Sequence, residues 1–475
     1  MKLMIPLREG EALGRQVYSG LRQAMIAGTL KPGDRIPSTR DLAEQLGVSR
    51  TIILLAFEQL LAEGYVEGRR GSGTYVAGGI HARPADRVEH PIALSSYGDR
   101  LASLAGIGAT MPTACPARRY DFAYGRGDIA HFPFEQWRRL LAAEARSMSI
   151  RSLDYADASG DALLREAIAG HVRRSRGVVC DGSQVIVVNG SQQAIDLIAR
   201  VLVDPGDAIA VEDPHYQGLR AILLACGARL SPVPVDDQGL DPAQLPASAR
   251  ALFLTPSHQF PTGAVLPIAR RLAVLEWASR CGAVIVEDDY DGEFRYDGQP
   301  LESLQSLDAA GRVIYVGTFS RTIFPALRIG YLIVPRALVD IFATAKWLAD
   351  RHSPSLDQRV LARFVGGGAY ELYLRRLRRS LAARRNALVE AIVRAWGGRM
   401  AMTGAGSGAH VTLWPGGDFD EQGAIEAAAA RDVGVYPVSP YYLGPARSGL
   451  LLGYSQLSAV DITEGIDRLV TTLSA

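Results

Sequence analysis

Lysine is nearly missing from this chain: of its 51 Lys and Arg residues, only Lys2, Lys31 and Lys346 are lysines. Chemistry that needs an amine therefore has few places to sit. Cysteine is scarce too, and Cys115, Cys180, Cys226 and Cys281 are scattered with no CxxC pair. That argues against a disulfide framework and against a structural zinc or other metal site. No run of about 18 apolar residues occurs, and the N-terminus lacks a basic-then-apolar signal pattern. A membrane partner is not expected, and a reducing cytoplasm is. Excess charge is absent as well: 51 basic against 50 acidic residues leave +1, so any basic surface must be local. What remains is the composition of a folded soluble protein, 475 residues with 48% hydrophobic and 21% charged. That length suits roughly two to four domains. There is no internal repeat or low-complexity segment.

Residues 1–77 read as a helical unit closed by a hairpin. Leu13, Val17, Leu21 and Met25 recur every fourth position, one stripe of an amphipathic helix stopped by Gly28 and Pro32. Ser38-Thr39-Arg40-Asp41 is a capping-box start for a short helix carrying Leu42, Ala43 and Leu46. After Gly47, Ser49 is expected to cap a third helix, with Ile53, Phe57 and Leu60–Leu61 facing inwards. Two helices joined through Leu46-Gly47-Val48 fit a helix-turn-helix. Tyr65–Glu67 and Thr74–Val76, around a glycine-rich tip, predict a two-stranded wing.

A helix entering the major groove needs a polar first turn aimed at base edges, flanked by groups that grip phosphates. Ser49, Arg50 and Thr51 supply the first; Arg40, Lys31, Arg35 and Arg69–Arg70 could supply the second. Charge alone does not separate this from a scaffold with solvated charges, because residues 1–76 hold ten basic and eight acidic groups. The ordered sequence does. From Gly28 to Val76 it closely resembles the winged-helix domain of the GntR regulators, through its PSTR start, LGVSR turn and GSGTYV wing. The resemblance implies that Arg40, Ser49, Arg50 and Thr51 contact double-stranded operator DNA, with Gly71 at the wing tip. Leu54 departs from members with a further basic residue there, so base preference is not carried over.

Residues 78–118, punctuated by Pro84, Pro91, Pro112 and Pro116, read as a linker in which Ser95–Leu104 could form a short helix. Residues 119–475 alternate helices with short apolar runs: Val185–Val188, Ala208–Val211, Ala251–Leu254, Ala283–Val286, Val313–Val316 and Tyr331–Val334. Runs apolar on both faces predict a largely parallel α/β sheet sandwiched by helices. The stretch after about Val360 predicts a smaller C-terminal α+β subdomain.

Several of these strands end in chemistry. Asn189-Gly190-Ser191-Gln192 opens a helix, where free amides make an anion site. Glu212–Tyr216 puts an aromatic ring on a loop that could cover a flat ligand. Glu287-Asp288-Asp289-Tyr290 sets acids at the carboxyl end of a strand, where α/β sheets bind ligands. Singly, each has a bland alternative: an ordinary strand-to-helix turn, loop packing, a solvated acidic turn.

Together, from Tyr120 onward, they resemble the fold-type-I aminotransferase domain, and fusion to a GntR winged helix resembles the MocR (GabR-like) regulators. The resemblance implies a homodimer, a small-molecule effector and a pyridoxal phosphate pocket. In it Ser191 and Gln192 hold the phosphate, Tyr216 stacks on the ring, and Asp288 pairs with the pyridine nitrogen. Tyr290 bonds the ring hydroxyl, while Thr318, Ser320 and Arg328 complete the phosphate cradle.

The departure is Arg321, where the family has the lysine that forms the Schiff base. A guanidinium does not deprotonate in a protein, and Lys346 falls about 25 residues further on. Pyridoxal phosphate, or a related anionic molecule, is therefore expected only non-covalently and without catalysis. Arg321 itself is expected to pair with Asp288, a ligand phosphate or a ligand carboxylate. The late-strand arginine of the enzymes is also replaced, by Leu450–Tyr454, leaving Arg431 or Arg447 to substitute. Their Asn-Pro-x-Gly loop reads Phe260-Pro261-Thr262-Gly263. The favoured function is a DNA-binding transcription regulator with an aminotransferase-like sensor. An aminotransferase with an accessory DNA arm is opposed by Arg321 and Leu451. A domain that only dimerises is opposed by the retained Tyr216, Asp288, Tyr290 and Arg328.

Overall fold

Val17, Leu21 and Met25 are buried on α1 (Leu13–Ile26), while Leu13 at its start is exposed. The computed structural model describes residues 5–8, 10–79, 92–107, 118–296, 301–397 and 399–473. It divides into two compact units, Met1–Ala93 and Leu94–Ala475. In the first, Ser38 Oγ accepts from the Asp41 amide (3.2 Å) and opens α2 (Thr39–Leu46). The Asp41 carboxylate meets the Ser38 hydroxyl (2.7 Å). Gly47, at φ 65°, ends α2 in the left-handed conformation that glycine adopts without strain. In α3 (Arg50–Ala62), Ile53, Ala56, Phe57 and Leu60 are buried.

Two expectations fail here. Ser49 stands at the cap position without a side-chain cap bond; its own carbonyl takes the Ile52 amide (3.1 Å). Leu61 is 53% exposed, because one step round a helix from the buried Leu60 points away from the core. β1 (Val66–Arg69) and β2 (Gly73–Val76) pair antiparallel, with Val66 opposite Val76, and Gly71 lies between them at φ 75°.

Ser95 caps a helix over Ser96–Ser103, whose Arg100 donates to the Ala225 carbonyl (2.7 Å). This part of the 78–118 stretch, read from the sequence as linker, belongs to the second unit. Pro84, Pro91, Pro112, Pro116 and Cys115 lie outside the described residues.

The second unit is built on eight strands: β3 (Val185–Val188), β4 (Ala208–Asp213), β5 (Arg229–Asp236), β6 (Gly239–Leu240), β7 (Ala251–Leu254), β8 (Val284–Asp288), β9 (Val313–Thr318) and β10 (Gly330–Ile333). Their spatial order is β3-β10-β9-β8-β7-β4-β5-β6. Neighbouring residues bury on opposite faces: Val286 packs with Ile195, Leu219 and Phe342, whereas Ile285 packs with Val274 and Trp277. That explains runs apolar throughout.

The sheet is largely parallel, as expected, with two strands reversed: β3, β4, β5, β7, β8 and β9 point the same way, and β10 and β6 run against them. The pairs from β9 through β8, β7 and β4 to β5 are parallel, but β10 runs antiparallel to both β9 and β3, and β6 to β5. The reason is length: residues 319–329 hold only a short 3₁₀ turn, and a parallel return needs a crossover of a dozen residues or more.

The C-terminal subdomain is α+β, as expected. Strands at Ala401–Thr403, His410–Trp414, Leu450–Gly453 and Tyr436–Pro437 form an antiparallel sheet accompanied by the helices Ala369–Trp396 and Ala459–Leu473. Cys180, Cys226 and Cys281 are free. Among the described residues no helix is long and apolar enough to cross a membrane.

Candidate functional site

β3, β4, β7, β8 and β9 point the same way, and their carboxyl ends border a cavity of about 220 Å³. All nine residues singled out from the sequence line it: Ser191, Gln192, Tyr216, Asp288, Tyr290, Thr318, Ser320, Arg321 and Arg328.

One group suits an anion. Ser191 and Gln192 open the helix Ser191–Leu202 behind Gly190, which has φ 87°. Thr318 ends β9, and its Oγ1 accepts from the Ser320 amide (3.1 Å). Arg328 donates to the Asn189 carbonyl (2.7 Å). It lies so close to Gly190 that a Cβ there would stand 2.9 Å from its guanidinium. Hydroxyls, helix-terminal amides and a guanidinium thus gather at one place.

Tyr216 follows β4, donates to Gln192 Oε1 (3.1 Å) and stands edge-on to Phe260.

The acidic run is not a solvated turn. Glu287 accepts from the amides of Leu304 (2.7 Å) and Gln305 (2.9 Å), and burial pushes its carboxyl up to about 7. Asp289 is held by Arg176 (2.6 Å) and the Tyr315 hydroxyl. Asp288, between them, opens onto the cavity with its Oδ1 shielded and without a hydrogen-bond partner. Burial pushes Asp288 up to about 7; the nearby Asp289 adds to this and Arg321 opposes it. The buried Tyr290 hydroxyl also lacks a partner.

Arg321 does not pair with Asp288. Its Nε lies 3.7 Å from Asp291 Oδ1, and its guanidinium 5.3 Å from the Tyr290 ring centroid. Asp291 is a buried acid, its carboxyl pushed up to about 6 by burial and pulled back by Arg321; the cation settles where the uncompensated charge is deepest. His258 and His410 stand beside Asp291, and the three offer ligand atoms within 4.8 Å of one another. Here Arg321 provides the positive charge at Asp291.

The remaining candidates are engaged elsewhere. Lys346 is buried in an ion pair with Asp350, which also takes Asn189 (2.7 Å) and Gln193 (2.8 Å). Arg447 lies over the Trp414 ring (4.2 Å) and Arg431 bonds Thr472 (3.1 Å); neither lines the cavity. Leu451 instead joins Tyr124, Phe260 and Tyr441 in an apolar cluster.

Sequence reasoning missed Tyr124, Gly125, Thr255, Phe260 and Pro325 as lining residues. Gly125-Arg126-Gly127 was the available signal: a Cβ at Gly127 would stand 2.5 Å from the Arg321 carbonyl.

On the first unit, Arg40, Ser49, Arg50, Thr51 and Gly71 are all exposed. Arg50 Nε lies 3.4 Å from Thr39 Oγ1, and Leu54, one turn on, is exposed as well. Arg69 is paired with Glu67 (2.7 Å) and covers Tyr75.

Residues 13–76 match the gntR family of bacterial regulatory proteins, and residues 125–469 match aminotransferase class I and II. Fold and site thus define a transcription regulator in which a winged helix is joined to an aminotransferase-like domain. Over 96% of its length the chain is 39% identical to the probable rhizopine catabolism regulatory protein MocR of Rhizobium meliloti, covering 92% of that protein. It is 36% identical to the transcriptional regulator TauR of Rhodobacter capsulatus, covering 97% of this chain and 96% of TauR. The structure is similar to LysN, the α-aminoadipate aminotransferase of Thermus thermophilus, solved with N-(5′-phosphopyridoxyl)-L-leucine. The TM-score is 0.73 at 27% identity, over 80% of this chain and 97% of LysN. The chain belongs to the MocR-type GntR regulators.

Proposed function

We propose that this regulator senses pyridoxal phosphate, or a related anionic ring, bound reversibly and without catalysis. The observation that carries this is the pair of buried, partnerless polar atoms in one cavity, Asp288 Oδ1 and the Tyr290 hydroxyl. A pyridine N–H and a ring hydroxyl would satisfy both, and leaving them bare is costly. Ser191, Gln192, Thr318, Ser320 and Arg328 would hold the phosphate, and Tyr216 would cover the ring. The bound ring supplies an electron sink; no lysine lines the cavity to exploit it, and a guanidinium stands at position 321 instead.

The winged helix reads operator DNA through Ser49, Arg50 and Thr51, with Arg40 on the backbone. It is joined to the sensor through the stretch before Leu94, since the helix Ser96–Ser103 already belongs to the second unit. A homodimer presents two such helices to two half-sites. Ile150, Leu153 and Tyr155 are 90%, 70% and 74% exposed, an apolar surface that a second copy would cover.

The test uses an operator selected from a random duplex pool. Adding pyridoxal phosphate should change its affinity for the full-length protein, and gel filtration should reverse the change. Borohydride should add no mass. An operator affinity indifferent to pyridoxal phosphate, with no binding of the ligand in dialysis, contradicts the sensor.

A further inference from the structure

Around the pyridoxal ring the order of substituents is fixed: nitrogen, methyl, hydroxyl, the 4′ group, then the phosphate arm. In the cavity Asp288 and Tyr290 carry the two partnerless polar atoms, and Ser320 belongs to the anion-binding group. With the ring hydroxyl at Tyr290 and the phosphate at Ser320, the 4′ group falls between them. Arg321 is the residue there, next to Ser320 in the chain and 5.3 Å from the Tyr290 ring in space.

We propose that Arg321 makes this site select 4′-oxygen forms of the ligand, the aldehyde, its hydrate and the alcohol, over the 4′-amine form. The inference rests on reading the cavity as a site for a phosphorylated pyridoxal-type ring. A guanidinium has only donors to offer, and it is permanently charged. An aldehyde or hydroxyl oxygen accepts from it. A 4′-ammonium, like a lysine amine, is charged at neutral pH and has only donors too, so it gains no hydrogen bond and meets a like charge. Asp291 does not rescue the ammonium. It is not among the residues that line the cavity: Arg321 stands there instead, its Nε 3.7 Å from an Asp291 Oδ1 that makes no hydrogen bond, while Asp291 Oδ2 accepts from the Ala409 amide (3.3 Å). Such a regulator distinguishes the two forms that transamination interconverts: it reports the oxygen form and is blind to the amine.

The test is isothermal titration of the full-length protein with the 5′-phosphates of pyridoxal, pyridoxine and pyridoxamine. Wild type should bind the pyridoxine and pyridoxal forms at least about tenfold more tightly than the amine, since opposing like charges in a pocket costs that or more. Arg321→Gln should bring the three to near parity. Because that variant strips Asp291 of its cation, Arg321→Gln combined with Asp291→Asn is measured beside it and should show the same parity. An amine form bound as tightly as the alcohol by wild type overturns the inference but leaves the pocket. A preference that survives in both variants overturns the assignment to Arg321. Binding of none of the three removes the pocket and the inference together.

Discussion

Asp288, the last residue of β8, and Asp289, the next in the chain, end in opposite states. Asp289 is clamped by Arg176 and Tyr315, while Asp288 faces a cavity with its Oδ1 unpartnered. Strand alternation sends adjacent side chains to opposite sides, so the buried Arg176–Asp289 pair braces the strand end from behind while Asp288 faces the cavity. The acid on the far side is structural; the one on the near side is available.

Arg176→Met should leave Asp289 buried without its cation. The expected loss is about 3–5 kcal/mol in a urea or guanidinium unfolding curve. A loss within experimental error would contradict the bracing role of the Arg176–Asp289 pair.

Asp288 carries a pH signature. Its carboxyl is pushed up to about 7 in the folded chain, against about 3.9 when unfolded. A raised pKa means that the folded state holds the proton more tightly. The contribution to stability is therefore full below about pH 4 and is lost as pH rises through about 7. Asp288→Asn, which does not titrate, should gain stability relative to ligand-free wild type between about pH 5 and 8, by roughly 1–3 kcal/mol. Melting curves at both pH values check this. A difference that stays flat across the range contradicts a shielded, unpaired Asp288.

At the DNA face, Arg50→Ala should weaken operator binding by about 1–3 kcal/mol if Arg50 reads a base. Arg40→Ala should weaken all sequences alike and flatten the salt dependence by roughly one unit. Gel-shift titrations at several salt concentrations separate the two. Wild-type affinity in both variants contradicts the docking.

Sedimentation of the DNA-free protein should give a dimer at micromolar concentration. Replacing Ile150 and Leu153 by Asp should shift it towards monomer, since buried charge opposes association. A wild-type monomer contradicts the dimer.

Much of the pocket was legible because its residues sit in short polar or acidic runs directly after apolar strands, as at Asn189–Gln193 and Glu287–Tyr290. In an α/β sheet those positions fall along one edge, and all nine chosen residues line the same cavity. What was not legible depends on three-dimensional return paths. Tyr124 and Gly125 follow no long apolar run, and Arg321's place beside Asp291 rather than Asp288 depends on a tertiary approach that chain order does not carry. The antiparallel direction of β10 was readable in principle, since residues 319–329 leave no room for a crossover. Apolarity alone says that a strand is buried and says nothing of its direction. The winged helix was legible in its turn and wing, while Leu61 is an apolar residue that periodicity placed in the core and the fold leaves exposed.

A pocket that is intact and lacks only the amine should regain covalent attachment in Arg321→Lys. With pyridoxal phosphate added, the lysine variant should give a coloured species that borohydride fixes to the chain. The expected mass increase is that of the phosphopyridoxyl group, on the peptide containing residue 321. Wild type treated in the same way should show neither colour nor added mass. A fixed adduct in wild type would contradict the exclusion of covalent attachment, and no adduct in the lysine variant would contradict the intact pocket.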